Sequence, residues 1–446
     1  MRLLAARWLV PVTRAPVEDG AVAIDDDGRL AYVGPRADAP PCDDVEDLGD
    51  AVLLPGLVNA HTHLELTAMR GLLEHADFFA WIRTLTRARA EVLDDAALAD
   101  ASRLGVLEGL SAGVTTFADT SASGAPLDAL IECGARGIVY QEVFGPDAAQ
   151  REASMDGLRA RVAALRARAT ALVRVGVSPH AVYSVHEELL LDACAWALGE
   201  GLPIAMHVSE SAAEIEFLRE GHGPFADFLR GRGITVRRRA HSPVHLLAEL
   251  GIAATARPLL IHGVRFDDSD VALAAHYDCP VAHCPASNAK LGHGVAPLRA
   301  LLDAGVRVGL GTDSVGSNNR LDLLEEARVA SLLQRAVHRS TTLLAPAELL
   351  RLCTLDGARA LGLDDRIGTL EPGKDADLCA VSLAGVHARP VHDPVAALFH
   401  SARGSDVVFA AVRGRALLRD GSVPTIDGEA AGRRLEDAAA RLRGLT

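Results

Sequence analysis

His61-Thr62-His63 is where this chain most plainly offers chemistry. The pair follows Pro55-Gly56-Leu57-Val58-Asn59-Ala60, a short apolar run that reads as a strand. A spacing of two residues puts both imidazoles on one side of such a strand, and imidazole is the commonest protein ligand for a transition metal. Alone the pair is weak evidence. Other apolar runs, however, also end in metal-binding or acid–base residues: Asp119, Gln141-Glu142, His180, His207 with Glu210, His262, His283 and Asp313. His61, His63, His207 and Asp313 make a set of three nitrogens and one carboxylate, which suits Zn2+ or Fe2+ and leaves room for a water. A cation so held lowers the pKa of that water toward neutrality. Glu210, three residues beyond His207, is the candidate general acid/base, and His262 is placed to orient the water or steady developing charge. His180 is divided between substrate contact and structure, and Asp119 and His283 read as supports behind the ligands.

Side chains from distant parts of the sequence converge when they sit at the C-terminal ends of parallel strands. Besides the first strand, strand-like runs occupy 114–119, 137–143, 173–180, 203–210, 257–264, 279–285 and 307–314, with Ala/Leu/Arg-rich amphipathic stretches such as 158–169 and 242–250 between them. This alternation predicts an α/β chain with a (β/α)8 TIM barrel over 57–370. A doubly wound sheet is the other arrangement, but no Gly-rich phosphate loop follows the first strand. Short apolar runs split by turn residues recur at both ends, as in Ala21–Ile24, Leu30–Val33, Leu378–Val381 and Val407–Val412. Residues 1–56 and 371–446 are therefore expected to form a small composite β-sandwich.

Composition narrows the function classes. With 446 residues and 49% apolar content a large core is available, and disorder is disfavoured. The net charge of −14 argues against a nucleic-acid surface. No run of 18 apolar residues suggests a membrane span, and Arg7 interrupts the apolar N-terminus, so no signal peptide is expected. The seven cysteines are scattered without a C-x-x-C pair, which disfavours disulfides and a cysteine zinc site and makes the cytoplasm the expected compartment. His75, His222, His241, His245, His276 and His338 carry no signal beyond surface or loop positions.

Four phrases together, Pro55–His63, Met206–Glu210, His283-Cys284-Pro285-Ala286-Ser287-Asn288 and Gly311-Thr312-Asp313-Ser314, resemble the amidohydrolase superfamily, in its branch of mononuclear deaminases and triazine chlorohydrolases. The resemblance runs over nearly the whole chain. It implies one divalent ion on His61, His63, His207 and Asp313, Glu210 and His262 (with Asp313) in the chemistry, and a homodimer or larger assembly. Ser178-Pro179-His180 resembles the purine-contacting segment of adenine-nucleoside deaminases, and Trp81 falls where such enzymes place an aromatic on the substrate. Tyr140-Gln141-Glu142-Val143-Phe144-Gly145 is similar to aminodeoxyfutalosine deaminases of menaquinone synthesis and brings in Gln141 as a substrate contact. Ser317-Asn318-Asn319 is shared with the S-adenosylhomocysteine and methylthioadenosine branch. The expected partner is thus a small molecule, and the expected reaction is loss of a purine C6 amine as ammonia. Aminodeoxyfutalosine is the leading substrate and S-adenosylhomocysteine or methylthioadenosine the alternative. An arginine from Arg83, Arg87 or Arg265 would meet a substrate carboxylate. Triazine-type chlorohydrolysis, or another amidohydrolase reaction such as amide hydrolysis, is a further alternative. A non-catalytic barrel would show broken ligand positions, and all four are intact.

Overall fold

The computed structural model describes residues 1–74 and 76–445, so His75 lies outside the described residues. Strands from the two chain ends build one sheet: β1 (Arg2–Leu9), β2 (Val17–Ile24), β3 (Leu30–Pro35), β4 (Asp44–Asp47) and β5 (Ala51–Pro55) from the N-terminal side. Between these and the C-terminal side lie β6 (Leu57–Thr62), β7 (Val114–Ser121), β8 (Arg136–Val143), β9 (Val173–Pro179), β10 (Ala205–Val208), β11 (Leu259–His262), β12 (Val281–His283) and β13 (Val308–Leu310). The last three strands are β14 (Leu378–Ser382), β15 (Val407–Val412) and β16 (Arg415–Arg419).

Hydrogen bonds connect the end strands as a single eight-stranded sheet, ordered β16-β15-β14-β5-β1-β2-β3, with β4 also on β1. The arrangement expected as a sandwich is thus one connected sheet, because β1 pairs β4 along Arg2–Ala5 and β5 at Trp8 and Leu9. The C-terminal end is not all strand. Residues Gly428–Arg443 form a helix that buries Ala431, Leu435, Ala438 and Leu442, a three- and four-residue spacing that marks one helical face. Arg434 pairs with Asp100 at 2.6 Å and ties this helix to the helix Asp95–Ser111.

The eight central strands all appear where the sequence places them. They are parallel and fall into two four-stranded sheets, β6-β7-β8-β9 and β10-β11-β12-β13. Isolated bridges meet at both seams, Val177 to Ile204 and Thr62 to Asp313. One apolar cluster gathers Val58, Ala60, Ala118, Ile138, Tyr140, Ala205, Leu259, Ile261 and Ala282, so strands of both sheets face a common interior. Strands buried on both faces explain why these segments read as continuous apolar runs. A buried ion network attaches the C-terminal segment to the start of β8: Arg136 reaches Asp375 at 2.8 Å and Asp377 at 2.7 Å.

Candidate metal centre and active site

The strand ends bring the predicted donors together. Nitrogens of His61, His63 and His207 lie within 4.8 Å of one another, and His61, His262 and Asp313 form a second such group that shares His61. His61 Nε2 is 3.4 Å from Asp313 Oδ1, His63 Nε2 is 3.6 Å from the same oxygen, and the Nε2 atoms of His63 and His207 are 3.4 Å apart. The β6–β7 ladder shifts register between Asn59 and Thr62, an irregularity that re-aims side chains at the strand end. Three residues of the site hold left-handed backbone that non-glycine residues seldom adopt: Ser209 (φ 51°), His262 (φ 77°) and Asp313 (φ 56°). Such conformations persist only where surrounding structure enforces them, and they gather at functional sites.

Electrostatics suit a cation. Burial, then neighbouring imidazoles, holds His207 well below its ordinary pKa, and burial also lowers His63, so both rings are neutral and offer lone pairs. His207 Nδ1 lies 3.2 Å from the His180 carbonyl, which leaves Nε2 for coordination. Burial works against ionisation of Asp313, but the facing His61, with His262 and His63 nearby, holds the carboxyl well below the usual range. The hydroxyls of Ser287 and Ser317 donate to its Oδ2 at 2.6 and 2.8 Å, leaving Oδ1 toward the histidines. His61 Nε2 is buried and makes no hydrogen bond. An orphaned ring nitrogen, aimed with the His63 ring at one carboxylate oxygen and grouped with that of His207, fits a divalent metal ion.

Glu210 and His262 stand beside this centre. His262 Nε2 is 3.7 Å from Glu210 Oε1, and His262 Nδ1 is 3.1 Å from Asn288 Oδ1. Burial, reinforced by the charge of Asp313, pushes Glu210 well above the ordinary carboxyl range. Burial pushes His262 down to about 3. The Glu210 backbone N–H donates to Glu214 Oε2 at 2.8 Å, which fixes the turn after β10.

The remaining predicted residues divide. The His180 ring sits 4.8 Å from that of His207 and 4.8 Å from that of Phe144, with Nδ1 2.7 Å from Ser184 Oγ. Asp119 Oδ2 accepts from the Leu64 N–H at 2.7 Å and so steadies the segment just after His63. His283 is buried. Trp81 lies on the helix Phe78–Glu91; its Nε1 donates to the Gly316 carbonyl at 3.2 Å and its ring stacks on Phe78. The Gln141 amide nitrogen is engaged with backbone, while its Oε1 is buried without a partner. Its amide donates to the carbonyls of Ala122 (2.9 Å), Glu142 (3.2 Å) and Ser121 (3.3 Å). Strand alternation is the reason: Ile138 and Tyr140 line the common interior, so Glu142 shares their face and Gln141 does not.

Sequence reasoning named Glu142 at a strand end without giving it a role, and passed over Arg89 and His293. The Glu142 carboxylate groups with His180 and His207 within 4.8 Å, and both its oxygens are buried without a hydrogen bond. Counting by twos from Ile138 would have found it. Arg89, rather than Arg83 or Arg87, enters the site; it is 2.6 Å from Glu65 and 3.8 Å from Glu142. His293 lies 3.6 Å from Glu210 Oε1, and no strand-end signal marks it because it sits in a loop.

The description "Amidohydrolase family" matches residues 52–417. The chain belongs to the amidohydrolase family. It is an amidohydrolase of the deaminase type, acting on a C–N bond. A 5-methylthioadenosine/S-adenosylhomocysteine deaminase of Moorella thermoacetica is 36% identical over 428 residues, covering 94% of this chain and 95% of the relative. Among solved structures, a zinc-bound adenosine deaminase from Xanthomonas campestris aligns with a TM-score of 0.87 at 30% identity, covering 99% of this chain and 98% of that one. An aminofutalosine deaminase from Helicobacter pylori shares the amidohydrolase fold, with a TM-score of 0.81 at 20% identity over 94% of this chain and all (100%) of the other.

Proposed function

We propose that this amidohydrolase removes the C6 amine of adenine nucleosides of the methylthioadenosine and S-adenosylhomocysteine type. The observation that carries the reading is the near full-length relation, at 36% identity, to a deaminase of those two nucleosides. It reverses the order of the substrates weighed from sequence. The phrase around Gln141 favoured aminodeoxyfutalosine, but that side chain is bound to backbone carbonyls, and the aminofutalosine deaminase is a distant relative at 20% identity. In the same reading, residues 57–370 work as one closed (β/α)8 barrel, flanked by the sheet of 1–56 and 371–446, with the bridges at Val177–Ile204 and Thr62–Asp313 as its seams.

His61, His63, His207 and Asp313 would hold the cation, zinc in this reading, which supplies a water acidified toward neutrality. Burial raises the proton affinity of Glu210, so its carboxylate can take a proton from the attacking water and pass it to ring nitrogen N1. Protonation at N1 lets C6 accept the water oxygen without building full charge on the ring. His262, whose Nδ1–H donates to Asn288 Oδ1, presents the Nε2 lone pair, which would accept from the attacking water and orient it. Glu210, again a carboxylate, then takes the proton of the new C6 hydroxyl and hands it to the departing amine, the C6–N bond breaks, and ammonia leaves with a C6 carbonyl on the product. His180 and Trp81 line the side where the base would lie. Arg89 and Glu142 offer a donor and two free acceptors to polar substituents.

Ammonia release from a panel tests the reading: methylthioadenosine, S-adenosylhomocysteine, adenosine, aminodeoxyfutalosine, guanine and a chlorotriazine. The first three are expected to react. Release from aminodeoxyfutalosine alone, or chloride from the triazine alone, would replace this reading with the corresponding rival.

A further inference from the structure

We infer that His293 is a second imidazole partner of Glu210, a positioning residue that holds the acid/base carboxyl in register with its substrate. The inference rests on the reading of Glu210 as the proton carrier. His293 Nε2 is buried, has no hydrogen-bond partner, and points at Glu210 Oε1 from 3.6 Å. His262 Nε2 approaches the same oxygen from 3.7 Å, so two rings flank one carboxylate oxygen. Both distances are slightly longer than a hydrogen bond, as catalytic contacts commonly are before substrate closes the site.

The loop is built to aim this ring. His293 lies between Gly292 (φ 71°) and Gly294 (φ 113°), backbone that favours glycine on either side. Its N–H donates to the Asn288 carbonyl at 2.9 Å, and the Asn288 side chain holds His262. One residue thus sets both imidazoles that face Glu210. On its other side the His293 ring meets Phe78 edge-on at 4.4 Å, and Phe78 stacks on Trp81. The helix bearing the proposed substrate aromatic therefore presses directly on the ring that faces the acid/base. A substrate that moves this helix by a fraction of an ångström would close the His293–Glu210 hydrogen bond.

The test uses the metal-loaded full chain and whichever panel compound it hydrolyses. His293→Ala is expected to lower kcat by about 10-fold or more, with KM changed far less and metal content unaltered. His293→Asn, which restores an N–H donor, is expected to recover much of that loss, and added imidazole is expected to rescue His293→Ala. Neither recovery follows from a purely structural role. Wild-type kcat in His293→Ala, or loss that tracks loss of metal, would overturn the inference while leaving Glu210 in place. Wild-type activity in Glu210→Gln would overturn both together.

Discussion

Asp313 and His61 are joined twice. The Asp313 backbone N–H donates to the His61 carbonyl at 3.0 Å, and the Asp313 carboxylate lies 3.4 Å from His61 Nε2. The first and last central strands therefore meet at two proposed ligands. The seam between the sheets and the metal centre are one construction.

Asp313→Ala removes the carboxylate on which His61 and His63 converge and frees the Ser287 and Ser317 hydroxyls. Bound metal and activity are expected to fall together. Metal analysis of the dialysed variant checks this, and full retention of one ion would remove Asp313 from the ligand set.

Gly311→Ala probes the same seam without touching a ligand. A Cβ at 311 would lie 2.8 Å from the His61 backbone nitrogen and 2.9 Å from its carbonyl oxygen. Backbone cannot yield as a side-chain tip does, so β6 must shift and carry His61 with it. Weakened metal affinity in a folded protein is the expected result, read by competition with a chelator.

Glu210→Gln keeps the shape of the side chain and removes its ability to carry a proton. Metal content should stay at the wild-type level while kcat drops by about 100-fold or more. An unchanged kcat would exclude Glu210 from proton transfer.

Glu326 provides a pH test of stability. Burial pushes its carboxyl up to about 8 from 4.5, with the Ala286 N–H as a partial counterweight. The folded chain keeps a proton that the unfolded chain releases. The Glu326 contribution is therefore fully present below about pH 4.5 and is lost as pH rises through about 8. Glu326→Gln should lose less stability than wild type between those limits. Denaturant midpoints of both proteins at pH 5 and pH 8.5 measure the difference, and parallel pH dependence would refute the assignment.

Arg136→Ala should act on stability. It leaves Asp375 and Asp377 buried and deprived of their shared guanidinium, at a cost of about 3–5 kcal/mol. A large fall in melting temperature is expected. A melting temperature equal to wild type would show that the network adds nothing.

Sequence alone determined the parts whose periods are short and local. The spacing of His61 and His63 was legible because strand geometry repeats every two residues, and the eight strands because strands buried on both faces read as continuous apolar runs that end in ionisable residues. The carboxylate at 313 was legible as the ionisable residue that ends the last of those runs. The C-terminal helix followed a helical period that was there to read in Ala431, Leu435, Ala438 and Leu442, but it lay in a stretch otherwise rich in strands. Tertiary structure alone decided contacts that depend on which way a side chain turns and on what loops bring near. It turned Gln141 to backbone carbonyls and Glu142 to the metal centre, chose Arg89 over its neighbours, and delivered His293 from a loop to Glu210. Loop paths have no period, and an arginine on a helix can reach several sites, so no local pattern encodes those choices; only packing of the whole chain makes them.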